Sequence, residues 1–349
     1  MFITGMQRSG TTLLEKLLDA QPSLTILSQP APLLFVEAKR DFLSTVGKNN
    51  APYPLGHLFG ERRYETSDFT AFLASYRLDR ERARTLFANM ETYSGQYTRF
   101  TRDETDAALI DAPFIPMMIA LWRNLARREA PVAGAKETTC EEFLPAFLDA
   151  GVRCALILRD PRDVLASLNH GRGAEFGGAV KPTLFNLRQW RKSVAFALAL
   201  EGRPGFHWLR YEDLTADPVG QLERLGAAAE PRLPETWSGN SSHGERHGVS
   251  RESVAAFRDV LPRSVIRFAE AACHAELRLL GYDVSIDEDE VPQILRSFEE
   301  PYVTRDDMSA DAIDDANIAR ELRRRELLGG CKDSAPYFIF REAHERLRR

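Results

Sequence analysis

The sequence has no apolar run long enough to cross a bilayer. Its longest nearly apolar stretch, Pro113 to Trp122 (PFIPMMIALW), is about half of the ~20 residues a spanning helix needs, and it carries two prolines. Cysteine is scarce as well. Cys140, Cys154, Cys273 and Cys331 lie far apart, with no CxxC spacing and no histidine pair at ligand spacing nearby. This argues against a disulfide framework and against a zinc site, and it fits a reducing, cytoplasmic location. Met1 leads straight into Phe2-Ile3-Thr4 without a basic start or a small-residue cleavage site, so no secretory signal is expected. An excess of positive charge is also missing. Lys and Arg number 46 against 51 Asp and Glu, a net charge of −5, so no global field holds nucleic acid or an anionic membrane, and any anion site has to be local. What is present is a chain of 349 residues, 44% of them hydrophobic, enough to bury a large core in one or two domains.

Phe2-Ile3-Thr4 reads as a short strand, Gly5 to Gly10 as a loop, and Thr11 to Ala20 as a helix with Leu13, Leu14, Leu17 and Leu18 on one face. Further short apolar runs follow at Leu24–Leu27, Ala107–Ile110, Val132–Ala135, Cys154–Leu158 and Phe206–Leu209, most of them leading into a helix-like stretch. This alternation predicts an α/β fold, a mostly parallel sheet flanked by helices, in which ligands sit beyond the carboxyl ends of the strands. Residues 41–106 break the rhythm. They hold a turn-rich stretch at Asn49–Pro54 and a charged helical stretch at Phe69–Met90, and read as a helical insertion over the sheet. After an acidic connector, Asp287 to Glu290, residues 284–349 read as a charged helical extension with a helix around Asp311–Leu328. The expected organisation is therefore one α/β domain over 1–283 plus this extension, which is a candidate dimer arm or a helix packed on its own domain.

Gly5-Met6-Gln7-Arg8-Ser9-Gly10-Thr11-Thr12 is the strongest chemical signal. Two glycines five apart let backbone wrap an anion, and the helix that opens next aims unsatisfied N–H groups and a positive dipole end at the same point. The spacing is that of the GxxxxGK[ST] nucleotide loop, with Thr11 where the lysine should stand. That lysine reaches the β and γ phosphates of a nucleoside triphosphate, so its absence argues against an ordinary triphosphate enzyme. Arg8 supplies a cation inside the loop instead. A second constellation, Leu156 to Val164 (LILRDPRDV) running on to Ser167, places Arg159 at a strand end, Pro161 at a first helical position, and Ser167 about two turns along. An Arg159 to Asp163 ion pair and an Asp160 cap are the structural alternative.

The pair of motifs, RSGTT after the first strand and LRDPRDVLASL after a later one, resembles the PAPS-dependent sulfotransferases, PAPS being 3′-phosphoadenosine 5′-phosphosulfate; the bacterial and tyrosylprotein branches look closest. The resemblance implies a P-loop-like fold, with Arg8, Ser9, Gly10, Thr11 and Thr12 on the 5′ end and Arg159 and Ser167 on the 3′ phosphate. Arg210-Tyr211-Glu212-Asp213-Leu214 is similar to the family's RYEDL strand end, which would put Tyr211 on the nucleoside. Ser250 to Phe257 (SRESVAAF) looks like the basic loop that closes over the cofactor, which would make Arg251 phosphate-facing, with Phe257 where the family usually has tryptophan. Lys136, directly after the Val132–Ala135 run, stands where similar members carry a strand-end lysine, and is the candidate for offsetting charge on the leaving phosphate. The implied reaction is sulfuryl transfer from PAPS to a hydroxyl or amine of a small-molecule, carbohydrate or peptide acceptor, by in-line displacement, releasing adenosine 3′,5′-bisphosphate without a metal.

The chain departs from the family at the general base. Gln29 stands where relatives place a glutamate after the second strand, and Thr138 stands where others place a histidine. Glu37, Glu137 and His170 are the substitutes nearest by strand-end position. The bland alternatives are a helix-face carboxylate, an ion pair with Lys136 and a solvated imidazole respectively. Tyr53, His57, Phe59, Arg62, Arg63 and Tyr64 could line an acceptor pocket, and His243 and His247 flank a polar loop. Two rivals stay open: a P-loop kinase of a small metabolite with Asp111 as its magnesium aspartate, and a nucleotide-binding protein that keeps the PAPS site without catalysis.

Overall fold

The computed structural model describes residues 1–46, 65–90, 100–126, 130–170, 178–228, 230–238, 245–306, 312–328 and 341–348. In chain order these form β1 (Phe2–Thr4), α1 (Thr11–Asp19), β2 (Leu24–Ser28), α2 (Pro32–Thr45), α3 (Thr66–Ser75), α4 (Arg80–Met90), α5 (Arg102–Ala108), α6 (Phe114–Leu125), β3 (Val132–Lys136), α7 (Leu144–Asp149), β4 (Cys154–Leu158), α8 (Pro161–Leu165), α9 (Thr183–Leu200), β5 (Phe206–Arg210), α10 (Tyr211–Ala216) and α11 (Pro218–Arg224). There follow β6 (Thr236–Ser238), β7 (Glu245–His247), α12 (Phe257–Val260), α13 (Arg263–Ala272), α14 (His274–Leu279), α15 (Val291–Ser297), α16 (Asp315–Leu328) and α17 (Arg341–Leu347). The described residues divide into two compact units: those within Met1–Leu55, Arg63–Ile157 and Leu200–Ser250 make the first, and those within Leu158–Ala199 and Arg251–Arg349 make the second.

The first unit carries a five-stranded sheet in the order β2-β3-β1-β4-β5. Its pairings are parallel, with Phe2 opposite Ala135 on one side and Cys154 on the other, and Thr4 opposite Leu156. Such a sheet is covered on both faces, so its strands read as apolar runs rather than as alternating patterns. All residues of β1, β2 and β4 are buried. Because β1 lies between β3 and β4, the strand order reverses at its carboxyl end, the place where open α/β sheets bind ligands. The core is aromatic: Phe2 packs on Phe147 at 4.5 Å between ring centroids and on Trp122 and Phe35 at 5.8 Å, while Phe35 meets Phe143 edge-on at 4.7 Å. α1 buries the leucine face its sequence predicts. It ends where the Gln21 side chain donates to the Leu17 carbonyl at 2.6 Å, just ahead of Pro22.

Four of the five expected later strands form. The exception is Ala107–Ile110, where the chain is the end of α5 and the turn after it. Thr101 and Glu104 build a capping box that starts a helix there, and this local signal prevails over a four-residue apolar run. The charged helical stretch at Phe69–Met90 lies on two helices, α3 and α4. The insertion's turn-rich segment, including Tyr53, His57, Phe59, Arg62, Arg63 and Tyr64, lies outside the described residues, as do His243 and Cys331. His247 is exposed on β7.

In the second unit the extension is helical, and α16 is packed rather than free: Asn317, Ile318, Glu321, Arg324 and Leu327 are buried. Glu321 receives Arg188 Nε at 2.8 Å and Arg191 Nη1 at 2.6 Å from α9, and Arg324 pairs with Glu276 of α14. Trp190 is buried in the same unit, and its Nε1 donates to the Arg159 carbonyl at 2.7 Å. Among the described residues no helix is long and apolar enough to cross a membrane, and no group of three or more His, Cys, Asp and Glu is arranged to hold a metal ion.

Candidate active site

The loop after β1 is built by backbone that only glycine accommodates at two points. A Cβ on Gly5 would lie 2.5 Å from the Ile157 carbonyl oxygen. Gly10 sits at φ +94, and a Cβ there would lie 2.4 Å from the Tyr211 ring. The Tyr211 ring thus packs against the loop's last glycine, which brings two of the singled-out motifs together within the first unit. Gly10 caps α1 with no side-chain hydrogen bond, and the first turn of α1 holds no acidic residue. The helix start therefore keeps its N–H groups and positive dipole end for an anion. Ser9 is 1% exposed, and its Oγ is buried without a hydrogen-bond partner among the described residues. An orphaned hydroxyl of this kind costs roughly 1–3 kcal/mol unless a ligand satisfies it. Thr11 is buried, Thr12 and Arg8 are half-buried, and Arg8 adopts φ +68.

Three of the four non-glycine residues with positive φ among the described residues follow successive strands of this sheet edge: Arg8 after β1, Gln29 after β2 and Thr139 after β3. Strained backbone persists only where the surroundings hold it, and it concentrates at functional sites. Here the holding bonds are visible. The Gln29 N–H donates to the Lys136 carbonyl at 2.8 Å, and Thr139 N–H donates to the Gly5 carbonyl at 2.9 Å. Cys140 N–H donates to Thr4 Oγ1 at 3.1 Å, and Lys39 Nζ donates to the Thr139 carbonyl at 2.6 Å.

Lys136 ends β3, Glu137 follows it, and the two side chains take different hydrogen-bond partners. Lys136 Nζ donates to Gln29 Oε1 at 3.1 Å, whereas Glu137 Oε1 accepts the Ala31 N–H at 3.0 Å. Both are fully buried, and burial acts on each toward its neutral form. It pulls the Lys136 ammonium below the usual lysine range, opposed by the negative charges of Glu15 and Glu137. It lifts the Glu137 carboxyl well above the usual carboxylate range, opposed by the Ala31 N–H and by Lys136. Groups poised in this way near neutrality are suited to proton transfer and to charge stabilisation.

Of the other candidates for the base, Glu37 is engaged on α2 by Arg82 of α4 and by Arg40 at 3.6 Å, with Arg82 also bonded to Asp41 at 2.9 Å. It serves to tie the insertion's helix to α2. The side chain of His170 lies outside the described residues. Gln29, unable to accept a proton usefully, orients the lysine instead. Asp111, the aspartate of the kinase alternative, is an exposed turn residue paired with Arg77 at 3.0 Å, and no strand precedes it. Sequence reasoning missed Glu15, a fully buried carboxylate on the leucine face of α1, 3.1 Å from Lys16 Nζ. Burial raises its carboxyl, and Lys16, Lys136 and Ser28 oppose that rise. A single acid on an otherwise apolar helical face was its signal.

In the second unit Arg159 and Ser167 follow β4. Asp160 caps α8 by accepting the Arg162 N–H at 2.9 Å, and Pro161 takes the first helical position. The helix lasts only to Leu165. A π-turn over Ala166–His170 then carries Ser167, in place of the regular two-turn helix expected. Arg159 is buried and donates from Nη2 to the Ser253 carbonyl at 2.5 Å, with Asp163 Oδ2 3.9 Å away. Arg251 is exposed.

Several known proteins are similar to this chain. The human carbohydrate sulfotransferase 6 is 30% identical over 173 residues, covering 40% of this chain and 44% of that protein. The rat carbohydrate sulfotransferase 7 is 36% identical over 110 residues, covering 28% of this chain and 22% of that protein. The chain thus spans less than half the length of these curated relatives. Among solved structures, the sulfotransferase domain of the Synechococcus PCC 7002 olefin synthase aligns over 77% of this chain and 92% of its own, with 18% identity and a TM-score of 0.41. Residues 1–235, well over half of the chain and including the loop after β1, Lys136, Arg159 and Tyr211, match the sulfotransferase family, and the protein belongs to that family.

Proposed function

We propose that the protein transfers a sulfuryl group from PAPS to an acceptor hydroxyl or amine. The observation that carries this reading is the loop after β1: a helix start left without a side-chain cap, a glycine in a conformation that needs glycine, and a buried Ser9 hydroxyl without a hydrogen-bond partner among the described residues. This donor set fits a phosphosulfate and lacks the lysine that a triphosphate requires. Bound PAPS supplies an activated sulfuryl group whose transfer leaves adenosine 3′,5′-bisphosphate.

In this reading the loop N–H groups, Ser9, Thr11, Thr12 and Arg8 bind the 5′ end, and Tyr211, packed on Gly10, bounds the nucleoside. Arg159, Ser167 and Arg251 bind the 3′ phosphate. Lys136, whose ammonium form Glu15 and Glu137 favour against the effect of burial, offsets charge on the leaving phosphate. Glu137 is the general base. Its Oε1 is committed to the Ala31 N–H, which leaves Oε2 to take the acceptor's proton, and its raised pKa places it in the range where a base works near neutral pH. The names of the curated relatives make a carbohydrate hydroxyl the first acceptor class to try.

Calorimetric titration with adenosine 3′,5′-bisphosphate, and with ATP plus magnesium, tests the cofactor. Micromolar binding of the bisphosphate, weakened at least tenfold in Arg159→Ala, is expected, and binding of ATP alone would sink the reading. Tight binding with no turnover across carbohydrate, phenol and peptide acceptors would favour a binding protein without catalysis. Two finer proposals accompany this one. The location is cytoplasmic, in keeping with three free, buried cysteines, and cell fractionation tests it. The catalytic part ends near residue 283; any homodimer through 284–349 would use the outward side of α16, since its inward side is buried within the unit.

A further inference from the structure

Asp163 is a buried carboxylate to which the reaction as described gives no part. It lies in the first turn of α8, four residues after Arg159, and is 1% exposed. Both of its oxygens are used across a gap of about ninety residues in sequence. Oδ2 accepts the Ala255 N–H at 2.8 Å, and Oδ1 accepts the Phe257 N–H at 2.9 Å. Ala255 sits at φ +60, a region that residues with a Cβ avoid, so the path of the chain at this point is imposed by its partner rather than by local preference. Two neighbouring contacts reinforce the attachment. The Arg162 guanidinium lies 4.4 Å from the centroid of the Phe257 ring, and is itself fixed by Asp160 at 2.7 Å and by Glu270 at 2.5 Å. Arg159 Nη2 closes the circuit on the Ser253 carbonyl.

Every one of these contacts lies within the second unit, and together they join one turn of helix to one loop. We propose that Asp163 is a positioning residue that clasps the 251–257 loop to the start of α8, so that Arg159 and the loop bearing Arg251 are presented as one preorganised anion-binding surface. The physical reason is that an arginine selects a phosphate only if its guanidinium is already aimed. Arg159 takes one of its bonds from the loop, so its aim depends on where the loop is held. A carboxylate is suited to the task because it offers two charge-assisted acceptors to two N–H groups at once. Asparagine, identical in shape, offers one.

The proposal rests on the cofactor reading above, and the experiment separates the two. The full-length wild-type protein and Asp163→Asn are titrated with adenosine 3′,5′-bisphosphate, and amide hydrogen exchange is followed in both. Wild type is expected to bind, with the Ala255 and Phe257 amides protected. In Asp163→Asn, Kd is expected to rise about tenfold through faster dissociation, and these two amides to exchange faster, while α9 and α16, held by Glu321, keep their protection. With any acceptor that turns over, KM for PAPS should rise while kcat holds. Failure of wild type to bind would overturn the cofactor reading and this role with it. Wild-type amides of Ala255 and Phe257 exchanging like open loop would overturn the clasp without any variant being needed. An Asp163→Asn Kd within twofold of wild type, or protection lost throughout the second unit, would show that Asp163 serves the fold and not the site.

Discussion

Two buried clusters, Glu321 with its arginines in the second unit and Lys136 with Glu137 in the first, handle charge in opposite ways. In the second unit, Glu321 lies among Arg188, Arg191 and Arg324. Burial alone would raise its carboxyl, but the attraction of these guanidinium groups prevails and brings it to about 2. Arg188 and Arg191 share Glu321 and Arg324 takes Glu276, so the cluster works as a fastener between α9 and α16. At the end of β3 in the first unit, Lys136 and Glu137 are neighbours in sequence but bond to different groups, Gln29 and the Ala31 amide. Burial prevails, and both move toward neutrality. Buried charge that is paired gives cohesion; buried charge that is separated gives reactivity.

The contrast can be broken at its strongest point. Glu321→Ala leaves two buried arginines without their carboxylate, and should cost about 3–5 kcal/mol of unfolding free energy, read by chemical denaturation. A loss under 1 kcal/mol would mean that the cluster is not a fastener.

On the reactive side, Glu137→Gln should lower kcat by about 10²–10⁴ while leaving bisphosphate binding intact. The pH profile sharpens this. The base must be ionised, so kcat rises with pH through the raised Glu137 value and falls again as Lys136 loses its proton. Lys136→Arg should remove the alkaline fall and leave the acid limb. A profile unchanged by either substitution would remove both residues from the reaction.

A smaller pH effect, on stability rather than on rate, belongs to the paired cluster. Glu321 has a folded pKa of about 2 against an ordinary 4.5, so its stabilisation is fully present above the unfolded value and is lost as pH falls through the folded one. Denaturation between pH 5 and 2 should show a decline of about 3 kcal/mol from this group, absent in Glu321→Gln. The smallest expected effect is that of Gly10→Ala. Its φ of +94 and the Tyr211 ring both oppose a methyl group. The cost should be about 1–2 kcal/mol of stability, with a clear loss of bisphosphate affinity by calorimetry. Unchanged affinity would detach the loop from cofactor binding.

The parts legible in the sequence are those whose physics is local. The loop from Gly5 to Thr12 could be read because strand, glycines and helix start are contiguous. The strand at Cys154–Leu158 could be read because a strand in a parallel sheet is apolar on both faces. The Asp160-Pro161 helix start could be read because capping acts over three residues. Ala107–Ile110 misled because a short apolar run fits a buried strand and a helix end equally, and the capping box at Thr101 decided between them. The role of Gln29 was half legible: its inability to act as base followed from its chemistry, whereas its bond to Lys136 depends on the pairing of β2 with β3.

The sequence by itself determined the glycine loop after β1, the parallel α/β architecture and the kinship with sulfotransferases, because glycine spacing, strand patterning and helix starts act over a few residues. Only the tertiary structure decided which charges are spent on cohesion and which are left poised. Glu37 against Arg82, Glu321 against Arg191, Asp163 against the Ala255 and Phe257 amides, and Lys136 against Gln29 are encounters between residues 45 to 130 positions apart. A carboxylate's protonation depends on the burial and the neighbours that such encounters create, and one-dimensional spacing carries neither.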